Sequence, residues 1–162
     1  MSYKIPDQTH IGHVHLKVSD INKALAFYKD LLGFEIMARY GESAVFISAG
    51  GYHHHIGLNT WYSKNGPQPA SNAVGLFHTA IVYPTRKDLA IALQRLIDAK
   101  YPITGASDHG VSEAIYLNDP DGNGVELYWD RPKELWPFDA AGNLQMFTER
   151  LDLEDLLAQI NT

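Results

Sequence analysis

The chain has 162 residues, of which 45% are hydrophobic and 20% charged; its formal net charge is −6, and it contains eight histidines and no cysteine. This length fits one compact domain, residues 1–162, that buries enough apolar surface to fold without a disulfide or a structural metal. The composition excludes disulfides and thiolate metal sites, and the acidic balance argues against a nucleic-acid partner. No apolar run is long enough to span a bilayer and the first residues lack a secretion signal, so we expect a cytoplasmic protein with no membrane partner.

The first half of the chain predicts a strand, a helix and three further strands. Residues 10–19 alternate between polar and apolar side chains, as in a half-buried strand. Ser19 or Asp20 can cap a helix, because apolar side chains then recur at helical spacing. Residues 34–49 favour a hairpin, and residues 53–61 favour a fourth strand.

The second half repeats this order after a loop at residues 62–75, which is rich in proline, glycine, serine and asparagine. A strand is expected at residues 76–83, and Thr85 can cap the helix that follows. Further strands are expected at about 102–107, 111–118 and 124–130. The chain is therefore predicted to contain two βαβββ units, at about 9–61 and 76–130, and a tail at 131–162 that ends in a short helix.

Two histidines hold corresponding positions in this repeat. His13 lies seven residues before Asp20, and His78 lies seven residues before Thr85. If the two units pair their sheets, their first strands come together at the centre. We therefore predict an α+β fold in which two βαβββ units pair into a curved mixed sheet around a metal-binding cleft.

Glu126 lies on the polar side of an otherwise apolar strand, opposite Val125 and Leu127. A carboxylate there costs free energy unless it is paired or bound to a metal. Together with His13 and His78 it would form the two-histidine, one-carboxylate set of non-haem Fe(II) oxygenases, although Mn(II) or another divalent metal also suits these ligands. The alternatives are a solvent-facing sheet surface for Glu126 and ordinary core or surface roles for both histidines.

Several motifs of the chain are similar to those of one known superfamily. They are His13-Val-His-Leu-Lys-Val-Ser-Asp20, Leu32-Gly33-Phe34, and the segment DHGVSEAIYLNDPDGNGVE at residues 108–126. These motifs resemble the vicinal oxygen chelate superfamily, which includes glyoxalases, extradiol dioxygenases and antibiotic-resistance proteins. Residues 52–61 and Arg131-Pro132 make the chain most similar to the catechol-2,3-dioxygenase branch.

The resemblance implies a function and a set of site residues. It implies an extradiol dioxygenase that acts on a small catechol-type diol with O2 and uses Fe(II). Its metal ligands would be His13, His78 and Glu126, while His109 and Tyr116 would bind the substrate and stabilise charge. Members of the superfamily are commonly dimers, so a homodimer is compatible with the resemblance.

A further active-site histidine is implied within the run His53-His54-His55. Alternation along the expected strand favours His54, with His55 as the second choice. The resemblance also separates the chain from glyoxalase I, which has a fourth protein ligand on the same strand. Ile56 would occupy that position and cannot bind a metal. A glyoxalase-like lyase or isomerase and a drug-sequestering protein of the same fold remain the alternative functions.

Overall fold

A computed structural model describes residues 2–70 and 72–162, and the chain forms two compact units that divide between Pro67 and Gln68. Each unit contains its own mixed β-sheet, so the predicted α+β class is confirmed. The predicted loop at 62–75 includes Ser71, which lies outside the described residues. In the described part of the chain, no helix has both the length and the apolar character needed to cross a bilayer.

The first unit has the predicted order of strand, helix and three strands. Its elements are β1 (Val14–Lys17), α1 (Ile21–Leu25) continued by a π-helical segment (Ala26–Leu31), β2 (Glu35–Tyr40), β3 (Ala44–Ser48) and β4 (Ile56–Asn59). The sheet order is β1-β4-β3-β2, with β1 and β4 parallel and the other pairs antiparallel. Its core lies on the side of β1 that carries Leu16 and Val18, and the side that carries His13 and His15 is exposed.

The second unit repeats that order and then adds the tail. Its elements are β5 (Thr79–Val82), α2 (Arg86–Asp98), β6 (Ile103–Asp108), β7 (Ser112–Asn118), β8 (Gly124–Asp130), a 3-10 turn (Lys133–Leu135), β9 (Glu149–Arg150), α3 (Leu153–Ala158) and a final 3-10 turn (Gln159–Asn161). The sheet order is β5-β8-β7-β6-β9, with β5 and β8 parallel.

Both predicted helix caps are present. The Asp20 side chain accepts a hydrogen bond from the backbone N–H of Lys23 at 2.9 Å, and Thr85 accepts one from Asp88 at 3.1 Å. Each bond satisfies a backbone donor in the first helical turn that has no partner within the helix. The two units therefore repeat the same local chemistry seven residues after His13 and His78.

Two elements differ from the sequence expectation. Strand β4 begins at Ile56, so the histidine run at 53–55 precedes the strand instead of forming part of it. The reason is its partner, since β1 begins at Val14 and pairs first with Ile56. The tail was expected to end in a short helix, and no strand was expected in it, but β9 adds a fifth strand to the second sheet by pairing with β6.

Candidate active site

His78 and Glu126 lie side by side in the second unit. Glu126 sits on β8 beside Ala80 of β5, and His78 immediately precedes β5. Parallel pairing therefore brings the two side chains together, with His78 Nε2 at 2.9 Å from Glu126 Oε2. The Glu126 side chain is 13% exposed and that of His78 is 31% exposed, so the pair borders solvent without being fully open to it.

The spacing of these two atoms fits a shared metal ion. Nitrogen and carboxylate ligands bind divalent ions at about 2.1 Å, so two ligands at a right angle lie about 3 Å apart. The Nδ1 atom of His78 is buried and has no hydrogen-bond partner among the described groups, so Glu126 and ring packing against Phe77 and Tyr116 orient the imidazole. Within the second unit, the described residues bring two candidate ligands together and not three.

Tyr116 lies directly opposite Glu126 in the antiparallel β7–β8 ladder. Its hydroxyl is 3.1 Å from Glu126 Oε1 and 2.6 Å from His109 Nε2. Partial burial, together with the nearby Glu126 carboxylate, raises the pKa of Tyr116 to about 12. The phenol therefore keeps its proton at neutral pH and links the carboxylate to the imidazole.

The hydroxyl of Tyr116 has one proton for two acceptors. When His109 is neutral with its proton on Nδ1, Nε2 is bare and the hydroxyl donates to it over the shorter distance. When His109 carries both protons, Nε2 donates to the phenol oxygen and the hydroxyl donates to Glu126. The direction of this hydrogen-bonded chain thus depends on the protons of His109.

The loop that carries His109 is held by an ion pair. The two terminal guanidinium nitrogens of Arg131 donate to Asp108, at 2.5 and 2.8 Å, and the Gly110 N–H donates to the same carboxylate at 2.8 Å. The hydrogen bond from Arg131 is the largest cause that lowers the pKa of Asp108. Bidentate pairing fixes a planar fork, so it sets the orientation of the backbone at His109.

Glu113 extends this ion pair into the buried part of the second unit. Its side chain is 4% exposed and accepts from Arg131 at 2.8 Å and from Arg86 at 2.7 Å. Arg86 also pairs with Asp155 of α3, so one network joins the His109 loop, α2 and the tail. This network was not predicted from the sequence. A carboxylate among the apolar side chains of β7 was the available signal, because a buried charge requires a partner.

His13 and His54 are in ring contact in the first unit. His13 precedes β1 by one residue, as His78 precedes β5, and its ring centroid lies 4.3 Å from that of His54. Partial burial first, and the charge of His13 second, lower the pKa of His54. The contact with His13 is compatible with His54 as the active-site histidine of the run at 53–55. That assignment stays a prediction.

The other two histidines of the run have different neighbours. His55 Nδ1 lies 2.8 Å from the Ser48 hydroxyl, so this ring ties the residues before β4 to the end of β3. His53 Nδ1 lies 2.8 Å from His54 Nδ1. The strand alternation used to choose among the three does not apply, because all of them precede β4.

The residue at the position where glyoxalase I has its fourth metal ligand is Gly57, not Ile56. In the first unit Val14 pairs with Ile56 and His15 with Gly57, while in the second Thr79 pairs with Val125 and Ala80 with Glu126. Since His13 and His78 correspond, the first-unit counterpart of Glu126 is Gly57. Ile56 and Val125 then hold equivalent positions in the cores of the two units, and both are almost completely buried. The assignment of Ile56 was wrong by one residue, but glycine offers no ligand either.

A cavity of about 350 Å³ adjoins His78 and Tyr116 within the second unit. Phe77, Thr104 and Gly105 contribute to its lining. Its volume is at the lower end of the range for small-molecule pockets, which runs from about 300 to 1,000 Å³.

Comparison with known proteins assigns the chain to a family. The model of the Glyoxalase/Bleomycin resistance protein/Dioxygenase superfamily matches residues 10–127. The chain belongs to this superfamily. The resemblance inferred from the motifs is confirmed, and membership supports a metal-dependent dioxygenase or lyase. Members of the superfamily bind divalent metals.

Individual relatives within the superfamily differ in function. A "Catechol-2,3-dioxygenase" of Bacillus subtilis is 40% identical over 159 residues, which cover 96% of this chain and 53% of the relative. The chain therefore spans about half the length of that protein. A "Metallothiol transferase FosB" of Staphylococcus epidermidis is 27% identical, covering 85% of this chain and 94% of the relative. A solved "glyoxalase/dioxygenase" from Nostoc punctiforme shares the fold with a TM-score of 0.64 at 18% identity, covering 82% of this chain and 99% of that one.

Proposed function

We propose that the protein is an extradiol dioxygenase that opens the ring of a catechol-type diol with O2. The observation that carries this proposal is the row of close polar contacts His109–Tyr116–Glu126–His78 in the second unit, in which the Tyr116 hydroxyl lies within hydrogen-bond distance of both His109 and Glu126. It connects an imidazole and a protonated phenol to a candidate metal-binding pair. Such an arrangement can bind an acidic diol beside a metal and can accept and return the proton of a diol hydroxyl.

The proposed metal ligands are His13, His78 and Glu126. His78 and Glu126 have the mutual spacing that one ion requires. His13 is proposed as the third ligand because it corresponds to His78 in the repeat, one residue before the first strand of its own unit. Gly57 at the counterpart of Glu126 limits the set to three, which leaves coordination positions for the two diol oxygens and O2.

The proposed metal is Fe(II), and Mn(II) would fit the same donor set. When bound, the ion would supply Lewis acidity and the redox chemistry that O2 requires. The ring bond beside a hydroxyl-bearing carbon breaks, and both oxygen atoms enter a muconic semialdehyde-type product, so no external reductant is needed.

The other site residues act on the diol and its protons. A neutral His109 accepts the Tyr116 proton at Nε2, and the pair can accept and return a proton of the diol. His54 is proposed to stabilise charge that develops on oxygen and to donate a proton, since its ring touches that of His13. The cavity beside His78 and Tyr116 would take part of the aromatic ring, next to Phe77.

The test is oxygen consumption by protein purified anaerobically and loaded with Fe(II). We expect about one iron per chain, uptake of O2 when a catechol is added, and a yellow ring-opened product. Iron-loaded protein that is inert toward a panel of catechols would refute ring cleavage.

The similarity to a metallothiol transferase favours one alternative, a metal-dependent enzyme that acts on a thiol adduct or catalyses thiol transfer. Turnover of such substrates with a metal other than iron, together with no O2 uptake, would support that alternative. We also propose that the protein is cytoplasmic, that it can form a homodimer, and that it has no nucleic-acid or membrane partner.

A further inference from the structure

The tail returns to the His109 loop through a hairpin that was not predicted from the sequence. Its turn spans Asp139–Asn143, where the Asp139 carboxylate accepts from the backbone N–H groups of Ala141 and Asn143, both at 2.8 Å. The Asn143 side chain donates to the same carboxylate at 3.0 Å. Beyond the turn, a bridge joins Phe138 to Leu144, and the chain runs back to β9 beside β6.

The same turn occurs earlier in the second unit. In the segment Asp119–Asn123, the Asp119 carboxylate accepts from the N–H of Asp121 and Asn123, both at 2.9 Å, and from the Asn123 side chain at 2.9 Å. Both segments have the sequence Asp-x-x-Gly-Asn. The earlier turn joins β7 to β8 and so aligns Tyr116 with Glu126. The later one directs the tail back toward His109.

The tail arrives at His109 through Phe147. Its carbonyl oxygen lies 2.8 Å from His109 Nδ1, and its N–H donates to the His109 carbonyl at 3.4 Å. The Phe147 ring covers Gly110, where an added Cβ would lie 2.6 Å from the ring. Gly110 also has a φ of +78°, so both the backbone and the available space require glycine at this contact.

A carbonyl oxygen only accepts hydrogen bonds, so the contact with Phe147 requires a proton on His109 Nδ1. In a neutral imidazole the other nitrogen is then bare. That nitrogen, Nε2, lies 2.6 Å from the Tyr116 hydroxyl. The contact with the tail therefore determines that Nε2, the nitrogen that faces Tyr116, is a hydrogen-bond acceptor.

We propose that the backbone carbonyl of Phe147, held by the Asp139–Asn143 turn, is a positioning group that keeps His109 in its Nδ1–H tautomer so that Nε2 accepts the Tyr116 proton. The catalytic meaning of this inference rests on the proposed function. The tautomer itself is a property of the metal-free protein and can be measured without any activity.

The test uses the metal-free 162-residue protein with isotope-labelled histidine. Long-range nitrogen–proton correlation spectra, recorded about two pH units above the ordinary histidine pKa of about 6.5, report which ring nitrogen carries the proton. The His109→Gln variant assigns the His109 signals by their loss. We expect Nδ1 protonated and Nε2 bare. Protonation at Nε2, whether or not Nδ1 is also protonated, would overturn the proposal.

Matched variants test the role of the turn. Asp139→Ala removes the acceptor for the turn, whereas Asp139→Asn keeps an oxygen for the same backbone N–H groups. We expect the alanine variant to shift His109 toward the Nε2–H form that free histidine prefers, and the asparagine variant to retain the wild-type spectrum. Thr148→Val is the control for the hydroxyl 3.4 Å from Nδ1 and should also retain it. An unchanged tautomer in Asp139→Ala would overturn the role of the turn.

Oxygen uptake separates this inference from the proposed function. A wild-type protein with the Nδ1–H tautomer but no O2 uptake would refute the dioxygenase and leave the positioning by Phe147 intact. An active dioxygenase with His109 protonated at Nε2 would refute the positioning alone.

Discussion

Gly57 in the first unit holds the sheet position that Glu126 holds in the second. Each follows a residue that pairs with the start of the unit's first strand, Ile56 with Val14 and Val125 with Thr79. The glycine is also constrained sterically, since an added Cβ would lie 2.8 Å from Cδ2 of His15. At this position the second unit has the carboxylate of Glu126, whereas the first unit has a glycine against which the His15 ring packs.

The His15–Gly57 contact predicts a coupled effect on stability. Gly57→Ala should lower the free energy of unfolding by about 1–3 kcal/mol, because the methyl group must displace the His15 ring. In the His15→Ala background the same change should cost less, with a coupling energy of about 1 kcal/mol. Urea unfolding of the four proteins measures the cycle. Additive effects would show that the ring does not limit residue 57.

Removal of a proposed ligand should abolish metal binding without unfolding the chain. His78→Ala and Glu126→Ala should each reduce the affinity for Fe(II) or Mn(II) by more than about 100-fold, because each removes a whole donor from the site. His10→Ala is the control, since the contact described for that imidazole is with the Gln8 carbonyl and not with a proposed ligand. Metal titration by calorimetry, with circular dichroism to monitor folding, measures the difference. Equal affinity in all three variants would exclude these residues as ligands.

The Tyr116 hydroxyl should matter for turnover and not for metal content. Tyr116→Phe keeps the ring but removes the link between His109 and Glu126, so kcat should fall on the order of 10²-fold at unchanged iron content. Tyr128→Phe is the matched control, two residues beyond Glu126 on the same face of β8. Equal kcat values for the two variants would contradict a role for the hydroxyl.

The Asp108–Arg131 pair predicts how stability depends on pH. The pKa of Asp108 is lowered in the folded protein, mainly by the hydrogen bond from Arg131. Its contribution to the free energy of unfolding, about 1–3 kcal/mol, is therefore present above the unfolded pKa of about 3.9 and is lost as the pH falls through the folded value. Asp108→Asn should be less stable than wild type at neutral pH, and this difference should narrow in acid.

Unfolding curves at several pH values measure that difference. Asp30→Asn serves as the control, because Asp30 forms an exposed pair with Lys29 and should change stability by less than about 1 kcal/mol at any pH. A stability difference for Asp108→Asn that is constant from neutral to acidic pH would contradict the assignment.

The sequence predicts those features that depend on local chemistry. The sequence offers Ser19 or Asp20 as the first helix cap and Thr85 as the second, because each is a polar side chain that precedes an apolar helical pattern. In the structure Asp20 and Thr85 are the caps. Tyr116 and Glu126, which the resemblance assigns to one site, pair directly across the β7–β8 ladder.

Features that depend on a partner strand were harder to predict. The start of β4 at Ile56, and hence the match of Gly57 to Glu126, follows from where β1 begins in the parallel ladder. The Phe147 contact with His109 spans 38 residues and has no periodic signal. The repeat of Asp-x-x-Gly-Asn at Asp139 was the one local clue to the tail hairpin.

Isotope incorporation is the most direct test of ring cleavage by dioxygen at this site. Fe(II)-loaded protein is given a catechol under ¹⁸O2, and the product is analysed by mass spectrometry. We expect a ring-opened product that carries both labelled atoms, and we expect that the His78→Ala variant does not form it. An intact ring, a product with one labelled atom, or no oxygen uptake by iron-loaded protein would contradict it.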